Sequence, residues 1–325
     1  MGSRFVRSRS EIRIHLIRSV FCCHAALSMT PILPTHSVDS LVHDACQGAG
    51  EPLRELLLRR GGLPGPRPNM KLAEAAARAL VAQNTRGRPI IDRWLAMKKD
   101  EAPTGTSLPF LPMVAVMALG VMACQASDAN GLRTALRALH DHADDGRREV
   151  RDAVVAALVL PLQRRVEETI EALHEWMDGY FHASLVLQAL SEPTVVQQIR
   201  DGVRPMTCLQ EAFALAAGAP RSHQRSHGYR ELLRALREAI AAWGGRFPNV
   251  VAPWLAEHAD VATKDLLSVL GTSLEELSAR GMRRSTATSV YDAIDAVVPP
   301  PRDPRWDVGP TRGRGKKARR KGRLG

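Results

Sequence analysis

Two histidine-bearing stretches carry the residue types closest to metal or acid–base chemistry. The first, His140-Asp141-His142 followed by Asp144-Asp145, is the densest group of nitrogen and carboxylate donors in the 325-residue chain. Side chains at i and i+2 of a helix point about 200° apart, so His140 and His142 reach one ion only where the helix ends. A polar helix terminus is the preferred reading, with cationic histidine set against the negative end of the helix dipole. The second stretch holds His174-Glu175 and His182. A His-Glu-x-x-His zinc pattern needs a histidine at position 178, where Asp178 stands. Gly179 separates two helical stretches and in principle lets His174 fold back on His182, but a pair of solvated surface histidines is favoured over a zinc site.

Nucleophile and phosphate chemistry find less support. No Gly-x-Ser-x-Gly elbow occurs in the chain, which closes the α/β-hydrolase route. Gly315-Lys316-Lys317 departs from a phosphate loop, because Pro310 replaces its first glycine and Lys317 its serine or threonine. Five cysteines, Cys22, Cys23, Cys46, Cys124 and Cys208, are odd in number and form no C-x-x-C pair, so neither a disulfide framework nor a zinc ribbon is expected. Cys46 and Cys208 sit among helical apolar residues and read as core. The spacing assigns no residue a catalytic, cofactor-binding or metal-binding role. A reducing cytoplasm is the expected compartment.

The elements that must position these groups follow from composition. Hydrophobic residues make up 45% of the chain but aromatic ones only 4%. An aliphatic core rich in alanine and leucine favours close-packed helices over strands, so the expected class is all-α. The formal charge of +11 is concentrated at the two ends. Residues 302–325 carry +8 and residues 1–28 carry +4, which leaves the stretch 29–301 at −1. A near-neutral body offers no whole-domain electrostatic case for nucleic acid. The tail does: Arg312, Arg314, Lys316, Lys317, Arg319, Arg320, Lys321 and Arg323 would hold a polyanion through counterion release, without sequence preference. No aromatics interleave them, so base stacking is not offered. A solubilising tail is the equal alternative.

The first 28 residues imitate a signal peptide, but Arg18 and His24 interrupt the short apolar stretch, and Met29 is the favoured natural start. Leu108–Cys124 runs seventeen residues without a charge, the lower edge of a bilayer span. Pro109, Pro112 and Gly120 favour a helix buried by its neighbours instead, and no membrane association is expected.

Helices are expected near 89–99, 110–124, 131–141, 148–160, 163–177, 180–190, 206–217, 228–243, 248–258, 262–270 and 285–297, after stripes at Leu53-Leu56-Leu57 and Leu72–Gln83. Asn69 is an N-cap, Pro161 ends a helix, and Gly244-Gly245 and Gly271 separate others. Within this series, Val150, Ala153, Val154, Ala157 and Leu158 form one apolar stripe after the turn Asp144-Asp145-Gly146. This turn and helix resemble those of a HEAT-type repeat. Leu63-Pro64-Gly65-Pro66-Arg67-Pro68-Asn69 is similar to an element of bacterial HEAT-repeat proteins of unassigned function. The resemblance implies an α-α superhelix over 39–298, flanked by a poorly ordered extension at 1–38 and a disordered basic tail at 299–325. It also implies a structural role for Asp144 or Asp145, the latter preferred, with Val150 and Arg151, the acidic residue and the arginine pairing within and between repeats. A protein-binding or scaffolding function with a protein partner follows, with weak nucleic-acid attachment through the tail. The alternative is a DNA-binding protein of the alkylation-repair class, also built on HEAT-like repeats. That reading would draw a cleft from Trp94, Trp176, Trp243 and Trp254 with Asp152 or Asp178, and a basic patch from Arg59 to Lys99.

Overall fold

A computed structural model of the protein describes residues 35–259 and 262–297. Among them are fifteen α-helices, three short 3-10 turns and no strand, the all-α class that composition implies. In chain order the helices are α1 (Thr35–Cys46), α2 (Glu51–Arg60), α3 (Met70–Ala82), α4 (Arg88–Leu95), α5 (Phe110–Gln125), α6 (Ala129–His140), α7 (Arg148–Arg164) and α8 (Val166–Leu173). They continue with α9 (Tyr180–Ser191), α10 (Pro193–Gln198), α11 (Val203–Ala217), α12 (His227–Arg246), α13 (Pro248–His258), α14 (Lys264–Ala279) and α15 (Arg284–Val297). The eight tail cations from Arg312 to Arg323, and most of the N-terminal extension, lie outside the described residues.

Local chemistry starts several helices where the spacing places them. The Asn69 side chain accepts from the Leu72 amide at 3.1 Å, satisfying one of the free donors of the first turn of α3. Asp128 does the same for α6 through Gly131, at 2.7 Å. Behind each cap the apolar stripe turns inward: Leu72, Ala73, Ala76, Ala77 and Leu80 on α3, Leu132, Leu136 and Leu139 on α6. α1 begins at Thr35 and already buries Val38 and Val42.

The helices pack in two rows. α3, α5, α7, α9, α12 and α14 lie one against the next, and α6, α8, α11, α13 and α15 form a second succession beside them. Every substantial contact joins helices no more than three apart in chain order. The buried residues nevertheless form one continuous hydrophobic cluster from Val38 to Ile294. α5 is covered by α3, α4, α6 and α7, which is why it is apolar all round rather than striped. Among the described residues no helix is long and apolar enough to cross a membrane.

Several boundaries differ from those the sequence suggests. α7 continues through Pro161 to Arg164. The bond that Pro161 cannot donate falls in the last turn, and the carbonyl it leaves, that of Ala157, faces Gly120 of α5. A Cβ on Gly120 would lie 2.5 Å from that oxygen, so glycine is what permits α5 and α7 to approach this closely. α12 runs through Gly244 and Gly245, where Leu277 of α14 occupies the space a Cβ on Gly244 would need, and α14 runs through Gly271. The single helix expected over 163–177 is divided into the end of α7, α8 and a 3-10 turn at His174–Trp176.

Candidate functional site

His140 closes the last turn of α6, Trp176 ends the 3-10 turn, Asp178 lies in the connection that follows, and His182 stands in the first turn of α9. The packing of α6 on α8, and the sharp turn through Gly179, bring these groups together. The two imidazoles stack with centroids 3.9 Å apart and planes at 15°. The buried Trp176 meets both edge-on, at 5.2 Å from His140 and 6.3 Å from His182. Asp178 bridges the pair. A carboxylate only accepts, so His140 Nε2–H donates to it, at 3.0 Å from Oδ2 and 3.2 Å from Oδ1. His182 Nδ1 is 3.0 Å from Oδ1, an ion-pair distance, but is buried and not aligned to hydrogen-bond.

Burial lowers the pKa of His182 below the ordinary histidine value of 6.5, and a positive charge on His140 lowers it further, against the pull of Asp178 and Asp144. The neutral ring is therefore favoured at neutral pH. Side-chain exposure is 15% for His182, 27% for His140 and 52% for Asp178, so the cluster opens to solvent on the carboxylate side. Its chemistry is that of a two-histidine, one-carboxylate ligand set, a donor combination suited to divalent transition metals.

The pairing departs from both sequence candidates, and a metal role, which the sequence reading assigned to no residue, gains a geometric basis. His142 does not join His140. It follows the end of α6, and burial lowers its pKa against the fields of Asp145 and Asp141. His174 turns to α11, where Nδ1 lies 2.8 Å from Glu211 and 3.9 Å from Cys208 Sγ. Desolvation pushes the Cys208 thiol up to about 12, which leaves it inert as a nucleophile.

The residues implied by the repeat resemblance lie in the turn between α6 and α7. Asp145 pairs with Arg147, at 2.9 Å from Nε and 2.6 Å from Nη2, and Arg147 is buried to 3% exposure. Arg147 also reaches the Lys98 carbonyl at 3.4 Å, tying this turn to the segment after α4. Arg151 donates to the Asp145 carbonyl, not to its carboxylate, and lays its guanidinium 4.5 Å over the Phe181 ring of α9. Val150 is fully buried. Trp94, Trp176, Trp243 and Trp254 are all buried, so none presents a face to solvent.

No protein-family model, curated protein or solved structure matches the chain.

One further surface is built from several elements. A shallow depression lined by Arg148, Arg151, Asp152, Phe181, Gln188, Glu231 and Arg234 spans α7, α9 and α12. At Gln188 it adjoins a cleft of about 410 Å³ lined by Val155, Glu192, Glu238, Ala242, Glu276 and Arg280, which extends to α14. The charge changes along this path. Three arginines stand with Asp152 and Glu231 at the Arg148 end, and three glutamates stand with Arg280 at the Glu276 end, so both halves are of mixed charge, with the acidic excess at Glu276.

Proposed function

We propose that the protein is a non-enzymatic, cytoplasmic scaffold of the HEAT-like type, an α-α superhelix that docks a protein partner along the groove across α7, α9, α12 and α14. The basic tail adds weak polyanion attachment. One observation carries the reading: the groove crosses four successive helices of one packed row, with Gln188 common to both of its halves. Contacts confined to near neighbours along the chain are the pattern of repeat arrays, which present such extended surfaces to partners. A lining of mixed charge with three glutamates at one end suits an extended segment of mixed charge better than a uniformly anionic phosphate backbone. Burial of all four body tryptophans also removes the aromatic cleft that a base-gripping repair protein needs.

Affinity capture from cells that make the protein, repeated with a Glu238→Arg, Glu276→Arg variant, tests this. Both side chains are well exposed, and their ion pairs with Arg234 and Arg237 are 3.9 Å long, so the fold should tolerate the change. The expected result is a partner retained by the wild type and released by the variant. A partner held equally by both, or capture of nucleic acid by the folded body, would count against the reading.

A further inference from the structure

We infer that His140, Asp178 and His182 form a binding site for one divalent transition-metal ion, with zinc the best match, that ties the end of α6 to the start of α9. The donor atoms lie within 4.8 Å of one another, and the two nitrogen-to-oxygen separations are 3.0 Å. Ligand atoms bound at about 2.0–2.1 Å around a tetrahedral ion stand only slightly farther apart than this, so the group needs little expansion to close on a metal.

Two observations single out the His182 ring. Its Nδ1 is buried and, though 3.0 Å from Asp178 Oδ1, is not aligned to hydrogen-bond with it, a position that a cation shared with that oxygen would satisfy. The His182 ring lies against Gly179, where a Cβ would stand 2.4 Å from Nδ1 and 3.2 Å from Cε1. The backbone does not require glycine at this position, because φ −148 and ψ 151 are extended values that any residue adopts. The absent side chain therefore makes room for the imidazole against the turn.

The stacked arrangement sets a condition on binding. Rings stacked at 15° hold their lone pairs in two nearly parallel planes, so at least one must turn about its Cβ–Cγ bond to converge on a single ion. His140, the more exposed of the two, has the freedom to do so, and the metal replaces the proton that Nε2 shares with Asp178. Three protein ligands leave a fourth position for water on the open carboxylate side. The grooves along α7, α9, α12 and α14 are lined by other residues, so the ion acts as a clasp between two helix ends.

The test is titration of the full chain, first stripped with chelator, using Co²⁺ as the visible probe and Zn²⁺ as competitor. The comparison set is Asp178→Asn, His182→Gln, Gly179→Ala and, outside the cluster, His174→Gln. Melting curves without metal establish that each variant is folded. One tetrahedral Co²⁺ signal displaced by Zn²⁺ is expected in the wild type and in His174→Gln. Affinity should fall by more than about tenfold in Asp178→Asn and His182→Gln, since loss of even an outer partner of a metal site costs that much. Gly179→Ala should weaken binding in the same direction. Absence of a Zn²⁺-displaceable signal, or equal Zn²⁺ affinity in the wild type and an Asp178→Asn, His182→Gln double variant, would overturn the site.

Discussion

Asp145 and Arg147 are the charged pair on which the α6–α7 turn depends. Their side chains are 14% and 4% exposed, so truncating the acid strands a guanidinium away from water. We predict that Asp145→Ala costs about 3–5 kcal/mol in denaturant unfolding, whereas Arg88→Ala, at the exposed pair with Asp92, changes stability by about 1 kcal/mol or less. The same turn fixes an acid response. Burial alone would raise the Asp145 carboxyl, but hydrogen bonds from the Arg147 side chain and backbone outweigh it and hold the group below its ordinary 3.8. Its contribution is complete above that value and fades as pH falls through the lower native one. His142 and His182 act earlier. Each is held below 6.5 chiefly by burial, so the unfolded chain takes up protons first, and stability is lost as pH falls from 6.5 through the depressed values. Melting temperature should therefore decline from pH 7.5 to 5, with a smaller decline in His142→Gln; a flat profile would contradict the assignment. The sequence singles out Asp145, Val150 and Arg151, but not Arg147, which is the partner of the Asp145 carboxylate. It also names His140, Asp178 and His182 without joining them. Asp178 and His182 are one helical turn apart, yet 38 residues separate His140 from Asp178, and no local periodicity links two helix ends across that distance.

Helix existence follows from apolar spacing because burial of one face stabilises each segment, and α3, α5, α6, α9 and α13 lie close to where that spacing puts them. Their neighbours α7, α12 and α14 run past residues that read as stops, because the cost of a proline or glycine depends on what packs beside it. Pro161 lies in a last turn, and Gly244 yields its volume to Leu277. Gly120 gives this argument a sign. In an isolated helix, glycine to alanine gains about 1 kcal/mol. In α5 the new methyl would stand 2.5 Å from the Ala157 carbonyl and 2.7 Å from its Cα, both backbone atoms of α7 that cannot swing aside. We predict that Gly120→Ala destabilises the protein by about 1–3 kcal/mol, read from denaturant midpoints. A gain in stability would show that the two helices are less closely locked than described.

At the scale of the molecule, contacts limited to near neighbours make stability uneven along the chain. α5 and α7 lie within the row and bury residues on most of their surfaces, whereas α15 packs chiefly on α13 and α14 and buries Ala287, Val290 and Ile294. Native-state hydrogen exchange should find the slowest amides in α5 and α7 and progressively faster ones toward α15. Uniform protection would indicate a single cooperative unit instead. Charge is as unevenly distributed as stability, with +8 in residues 302–325 against −1 for 29–301. This segregation was readable from the sequence, because charge counts need no tertiary structure. The groove was not, since Arg148, Gln188, Glu238 and Glu276 come from four helices and meet only in the packed row. Under the proposed function, the folded body docks protein and leaves nucleic acid to the tail. Fluorescence anisotropy of labelled duplex DNA, titrated with salt against the full chain and a chain ending at residue 301, addresses it most directly. The account predicts binding by the full chain alone, with a steep salt dependence and no preference for sequence or damage. Retention of duplex by the shortened chain at physiological salt would contradict it.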